Sequence, residues 1–367
     1  MIVGGGPAGS TCAWKLRHAG LDVVVIDKAH FPRDKTCAGW ITPQVVEALR
    51  LDVPEYSGSR VFQPISGFYV AVLGQSGTQV EFEHPVSFGI RRCEFDDYLL
   101  RRSGARLRLG EPITRIERIG EVWRLNGTIE ARMLVGAGGH FCPIARQMRA
   151  PKLRTQLVTA VEAEFPITTN LNSVASNAST PRLYFRDDLS GYGWCVRKSN
   201  YLNIGIGLVD SRETSSALSR LLKDLNQDGT LSHEIPVNFK GHAYYLYDGC
   251  ESQIVDDGVL LVGDAAGLAY RESGEGIRPA IESAIFAARV VVEANGQYDK
   301  GRLGQYRAML TTRLGTPRSP LLSGWFAPLG HQLRRTAFRH MIRSPRLVRE
   351  VLLRNRFLHS YQPGLIT

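Results

Sequence analysis

Gly4, Gly6 and Gly9 stand at the spacing G-x-G-x-x-G in MIVGGGPAGSTCAWKLRHAGLDVVVID, and Asp27 closes that stretch. Glycines there let the backbone approach a pyrophosphate, and the free N–H groups of the following helix bind its charge. An acid at the end of the second strand accepts a hydrogen bond from a ribose hydroxyl, and it favours an unphosphorylated ribose, hence FAD or NAD over NADP. A second cluster lies far along the chain, in GVLLVGDAAGLAYRESGEGI. Asp264 sits at the carboxyl edge of an apolar strand, Val259 to Val262, where ligands bind in parallel-sheet architectures. Gly274 and Gly276 open an expected helix from Ile277 to Ala294, whose N-terminus favours negative charge developing on a ligand. One extended dinucleotide touched by both clusters accounts for both.

The elements that must position these residues are legible around them. IVGGGPAGSTCAWKLRHAGLDVVVID is a strand–turn–helix–strand, with Ala13, Leu16 and Ala19 at helical spacing. LDVVVID is continuously apolar, as a strand of a parallel sheet is. Three residues precede Gly4, a short first strand, and the expectation is either a stub or a true start upstream of Met1. In residues 151–249 the runs LVTAVEAEF, PRLYFRDD, GYGWCVRK and YLNIGIGLV alternate like an antiparallel sheet, with no long helical pattern among them. Beyond Ser283 the chain reads as helices.

The chain resembles the FAD-dependent group that contains p-hydroxybenzoate hydroxylase, the flavin halogenases and the geranylgeranyl reductases, and it is most similar to the geranylgeranyl reductase family. The resemblance covers nearly the whole length. It rests on GGGPAG, PRDKTCAGWITP (32–43), RCEFDDYL (92–99), GAGGHFCPIAR ending at Arg146, GYGWCVRK (191–198) and GDAAGLAYRESGEGI (263–277). It implies a glutathione-reductase-type α/β FAD-binding domain, an antiparallel β-sheet substrate domain and a helical C-terminus. The expected division is 1–56, 90–150 and 250–300 for FAD, 57–89 and 151–249 for substrate, and 301–367 for the helical region. The resemblance assigns the pyrophosphate to Gly4, Gly6 and Gly9 with Pro7 and Ala8, and the adenosine ribose to Asp27 with Lys28 beside it. It assigns the FAD chain to Arg92, and the ribityl or pyrophosphate to Asp264 with Gly263. Gly274, Gly276 and Ile277, and the loop Cys37, Ala38 and Gly39, are expected near the isoalloxazine. The chain departs from the family at Ala38, where the usual CGG reads CAG. It departs again at Gly139, which replaces the acid of a Gly-Asp motif serving FAD and NADPH, and at Arg271, which replaces a common proline and is expected to meet either an anionic substrate group or solvent.

The resemblance implies chemistry by reduced flavin, with NAD(P)H or another reductant as electron donor. The first expectation is reduction of carbon–carbon double bonds in an isoprenoid or other hydrophobic substrate, by hydride from flavin N5 and a proton from Cys37, Tyr192 or water. The alternative is monooxygenation of an aromatic or polyketide-like substrate through a C4a-hydroperoxide, which requires no protein acid. Halogenation fits less well because no W-x-W-x-I-P motif is present. A non-redox flavin-dependent cyclase and a flavin sensor remain as further readings. Tyr192 and Trp194 share one face of a strand and line the substrate side or serve as core aromatics. Trp14, Trp40, Tyr244 and Tyr245 are expected to be packing residues.

The composition narrows the field. The 367 residues are 43% hydrophobic, and no apolar run approaches a membrane span. Six scattered cysteines without a CxxC pair and nine dispersed histidines suggest no metal site and suit a reducing cytoplasm. Net charge is +10, and His331 to His359 carries eight arginines and one acid. Leu333, Phe338, Met341, Ile342, Leu347, Val351 and Leu352 interleave with those arginines. That pattern suits either helices packed on the enzyme, split at Pro345, or peripheral contact with a membrane surface. No nucleic-acid recognition motif is present, and the sequence carries no signal for oligomeric state.

Overall fold

The computed structural model describes residues 1–148, 156–167, 179–231, 235, 237–249, 253–315 and 331–365. Cys250 and the expected domain boundaries at 151 and 250 lie outside the described residues.

Ile2–Val3 forms the centre of a six-stranded sheet. It pairs in parallel with Val24–Asp27 on one side and Leu134–Gly136 on the other. Arg106–Leu109 continues the sheet beyond Val24–Asp27, and Val259–Leu261 beyond Leu134–Gly136. Val255–Asp256 adds an antiparallel edge. The N-terminal helix Pro7–His18 packs against the helix Ile277–Glu293, so the two glycine clusters meet although more than 250 residues separate them. The first strand is as short as the sequence predicts, yet Ile2 and Val3 are buried.

The second sheet has seven strands, in the order Lys240–Tyr245, Leu157–Pro166, Tyr201–Leu208, Gly191–Lys198, Arg182–Phe185, Gly67–Val72 and Thr78–Glu81. All neighbours are antiparallel except Arg182–Phe185 with Gly67–Val72. The expected antiparallel sheet and the parallel Rossmann-like layer are both present, and the α/β fold class holds.

The sheet is covered on both faces. On one, Phe68, Val70, Leu183, Phe185, Trp194 and Val196 meet Phe338, Met341, Leu352 and Phe357 from the C-terminal helices. On the other, Tyr184, Cys195, Ile204 and Ile206 meet Ala217, Leu221 and Leu225. Those last three belong to a helix, Thr214–Gln227, which corrects the expectation of no long helical pattern in residues 151–249. Its apolar positions recur every fourth residue, enough to bury one face of a short amphipathic helix.

The C-terminal basic stretch forms His331–Ile342 and then, starting at Pro345, a short helix continued by a π-helical run Val348–Phe357. The proline breaks the stretch as expected. Most of its apolar stripe is used in packing: Phe338, Met341, Ile342 and Leu352 are buried, whereas Leu333 and Leu347 are exposed. Arg278 ties the chain end down by donating to the carbonyls of His359 and Gln362 at 3.2 and 2.9 Å, while pairing with Glu282.

Leu221 is fully buried between the 214–227 helix and the sheet. Leu221→Ala is expected to lower stability by about 2–5 kcal/mol. Urea unfolding checks it, read as a lower midpoint with an unchanged slope.

Candidate functional site

Between the two sheets runs a cavity of about 680 Å³. Its walls come from the Gly4–Ala8 turn, Asp27 and Lys28, the 33–40 loop, Arg92, residues 137–146, Tyr192, Trp194, His242, Tyr244, the 273–277 turn and Phe357.

At one end the first turn opens the N-terminal helix. Gly4 adopts φ +114°, and a Cβ on it would collide with the Ala137 carbonyl. A side chain is thus excluded by space as well as by backbone conformation. Gly6 caps the helix with no side-chain cap, leaving its first N–H groups free to face a ligand. Asp27 pins the turn: Oδ2 accepts from Gly5 N at 2.7 Å and Oδ1 from Ala29 N at 2.9 Å. A carboxylate has lone pairs beyond these two bonds for a ribose hydroxyl. Gly9 does not reach the cavity; a Cβ there would strike the Gly4 carbonyl, so its part is close packing of helix on turn. Gly263 likewise stands behind the cavity, at φ +58°, where a Cβ would lie 3.1 Å from Ala8 Cβ.

Asp264 lines the cavity beside the 273–277 turn. Its Oδ2 lies 3.8 Å from His242 Nε2, and a Cβ on Gly276 would stand 3.2 Å from its Oδ1. Burial pushes its carboxyl up, but His242, Lys35 and Arg92 outweigh that and hold it below the usual carboxylate range. The same burial lowers Lys35 to about 8, against the pull of Asp264 and with a push from Arg92. His242 is lowered by burial despite Asp264. Arg92 is fixed by a bidentate pair with the buried Asp96 at 2.8 Å, and Arg33 adds a contact to Asp96 at 3.2 Å. Buried cations around one carboxylate make this stretch suited to an anionic, hydroxyl-rich group.

At the far end, Cys37, Ala38 and Gly39 face the 274–277 turn. Gly39 holds φ +66°, and a Cβ would collide with the Ile90 carbonyl and Lys198 Nζ. Ala38, in place of the family's first glycine, does not take a positive φ, whereas Gly39 does and has no room for a side chain. The Cys37 Sγ accepts from Gly39 N at 3.4 Å. Tyr192 and Trp194 both line this end, as the two-residue strand period predicts. The Tyr192 hydroxyl donates to the Ser273 carbonyl at 2.5 Å, and burial raises it well above its ordinary value.

Several lining groups escaped the sequence. Trp40 and Tyr244, expected to be packing residues, line the cavity, whereas Trp14 is buried against His18 and Tyr245 packs at a tilt against His140. Lys35, His242 and Phe357 also escaped; the register of separate strands and helices brings them in. Glu275 lines the 273–277 turn, burial pushes it up to about 7, and its Oε1 has no hydrogen-bond partner among the described residues. Its position between two glycines was the available signal. Arg271 meets neither a substrate end of the cavity nor solvent alone; it donates to the Tyr247 carbonyl at 3.1 Å. Gly139, at φ +70°, lines the cavity without an acid in the place the family's motif would put one.

A parallel sheet with a glycine turn, an acid at the end of the second strand and a second strand-edge carboxylate defines a Rossmann-type dinucleotide-binding fold. Residues 2–54 match the family model of the NAD(P)-binding Rossmann-like domain. The chain is 29% identical over 317 residues to geranylgeranyl diphosphate reductase of Rhodobacter capsulatus, covering 79% of this chain and 74% of that protein. It is also 29% identical over 327 residues to menaquinone reductase of Mycobacterium tuberculosis, covering 79% and 76%. The fold matches the crystal structure of a geranylgeranyl bacteriochlorophyll reductase-like protein from Thermoplasma acidophilum, with TM-score 0.77 at 20% identity over 93% of this chain and 89% of that one. Flavin-dependent halogenases share the fold at lower TM-scores. The resemblance to geranylgeranyl reductase-like FAD oxidoreductases, drawn from the motifs, therefore holds along most of the chain.

Glu162 lies beneath the Cys37 loop, and burial pushes it from 4.5 to about 7 against the pull of Lys198. Its folded-state value is raised, so its contribution to stability is complete below about 4.5 and is lost as pH rises through about 7. Glu162→Gln is expected to flatten that part of the stability–pH curve, measured by urea unfolding across the window.

Proposed function

We propose that this chain is an FAD-dependent oxidoreductase that reduces carbon–carbon double bonds of an isoprenoid or similarly hydrophobic substrate. The observation that carries the reading is the single cavity with a glycine turn and Asp27 at one end and an aromatic wall facing Cys37 and the 274–277 turn at the other. The names of the relatives point to reductases of polyprenyl compounds and of a quinone with a polyprenyl tail, and the aromatic wall suits such a substrate.

In this reading FAD lies along the cavity, and when bound and reduced it supplies the hydride. The Gly4–Ala8 turn and the N-terminus of the 7–18 helix hold its pyrophosphate, Asp27 and Lys28 its adenosine end, and Arg92 and Asp264 the chain between. Gly276 and Ile277 present backbone N–H groups to the ring beside Gly274, whose own N–H is donated to the Tyr270 carbonyl at 2.8 Å, and Cys37 to Gly39 cover its other side. Tyr192 and Trp194 form the substrate wall. The proton comes from Cys37, from ordered water, or from Glu275, whose raised carboxyl carries one near neutrality. Tyr192 is the poorer donor because the Ser273 carbonyl already takes its hydrogen. NAD(P)H or another reductant supplies the electrons.

The domain division follows from the same reading. Residues 1–56, 90–150 and 250–300 carry FAD, 57–89 and 151–249 the substrate sheet, and 301–367 the helices that close it. No described helix is long and apolar enough to cross a membrane. Exposed Leu333 and Leu347 among arginines support peripheral contact with an anionic lipid surface, which co-sedimentation with anionic vesicles tests.

Asp264→Ala is expected to lower the flavin content of purified protein markedly; full retention of flavin overturns the Asp264 assignment. The reaction class is tested by rapid mixing. Protein reduced without oxygen is expected to reoxidise on an alkene substrate anaerobically and only slowly in oxygenated buffer. A transient absorbing species in oxygen, formed faster with an aromatic substrate, would instead favour the monooxygenase alternative.

A further inference from the structure

Three adjacent strands of the seven-stranded sheet set a row of polar side chains beneath the Cys37–Gly39 loop. Gly205 pairs with Glu162 on one side and Trp194 on the other, and Asn203 pairs with Glu164 and Val196. Residues two apart share a face, so Glu162, Glu164, Asn203, Trp194 and Lys198 look the same way. Gly205 leaves room for the indole, because a Cβ there would collide with the Trp194 ring. The indole N–H thereby reaches Asn203 Oδ1 at 2.7 Å.

Asn203 is fully buried and lies outside the cavity. Its Nδ2 donates to the Cys37 carbonyl at 3.2 Å and to Glu162 Oε2 and Glu164 Oε2 at 3.1 and 3.2 Å. The Cys37 backbone lies beside the Glu162 carboxyl and favours its charged form. The Cys37 carbonyl is thus held by Asn203, with Glu162 and Glu164 fixing the same amide. Two residues further along, Ile90 N donates to the Gly39 carbonyl at 2.7 Å. Lys198, which pairs with Glu164 at 2.6 Å, packs directly under Gly39. One amide therefore links an aromatic ring in the substrate wall to the backbone of the loop at the flavin end.

We infer that Asn203 is a positioning residue that couples Trp194 to Cys37, so that a substrate pressing on the indole moves the Cys37 peptide. Glu162 and Glu164 anchor the Asn203 amide. The inference rests on the proposed reading of the cavity, with Trp194 on the substrate side and Cys37 on the flavin side. A network serving only to satisfy buried polar groups would lower stability when broken, but it would not make the two ends of the chain act as one.

The test is a double-mutant cycle on full-length protein with Trp194→Phe, which keeps the ring and removes the N–H, and Asn203→Leu. The readout is the rate at which N-ethylmaleimide labels Cys37, with Cys37→Ala in each background subtracting the other thiols. Trp194→Phe is expected to raise the rate about tenfold, the effect of one lost buried hydrogen bond, and Asn203→Leu, which also removes the bond to the Cys37 carbonyl, by at least as much. The double variant is expected to match the larger single effect, because both break one chain. Multiplicative effects, or unchanged labelling in Trp194→Phe, overturn the inference. Should Asn203→Leu not fold, Trp194→Phe alone decides, since it touches neither Cys37 nor Glu162. Flavin content of the same preparations separates the two levels. Independent effects in protein that holds flavin sink the coupling alone; protein that takes up no flavin sinks the cofactor reading, while labelling still reports on the clamp.

Discussion

The close approach of backbone to backbone where the two ends of the chain meet is the constraint on which the rest of the molecule depends. Gly4 and Gly9 press against each other and against Ala137, and Gly263 fits between Ala8 and Ala280. A methyl group at Gly4 or Gly9 would collide with backbone, and one at Gly263 would crowd Ala8 and Ala280. Strand order 134–136, 2–3, 24–27 with 259–261 alongside Leu134–Gly136 puts the three turns at one edge. The cavity exists because small residues let these turns converge, and the packing of the 7–18 helix on the 277–293 helix keeps them there.

The electrostatic character of the cavity follows from that convergence. Asp264 enters from the third turn into a site that already holds Lys35, Arg92 and His242. None of these groups would have an unusual proton affinity in water. Their shifts arise because the two sheets exclude solvent from a strip where charges of both signs must sit. Burial alone would neutralise Asp264; the surrounding cations keep it ionised and let it accept hydrogen bonds.

The opposite end is built on different principles. There the sheet offers aromatic rings to the cavity and hides its polar groups one layer behind them. Glu162, Glu164, Lys198 and Asn203 compensate each other in charge and hydrogen bonding. The C-terminal π-helical run adds Phe357, which touches Trp40 and Tyr192 at ring separations of 5.4 Å each. The last elements of the chain therefore finish a wall that the first and middle elements begin.

How much of this was legible beforehand depends on the range of the interaction involved. The sequence by itself determined the glycine turn, the Asp27 and Asp264 strand edges, the helix from Ile277 and the shared face of Tyr192 and Trp194. Each is set by local periodicity or by a turn that few residues can make. It did not reveal the 214–227 helix, whose amphipathic pattern is short and gains its stability from the sheet it covers. Nor did it reveal the true surroundings of Trp40, Tyr244, Lys35, His242 and Glu275, or the clamp on Cys37. Those were decided only by the tertiary structure: pairing register brings Glu162, Asn203 and Trp194 into one row, and burial then gives each side chain its charge state and its partner.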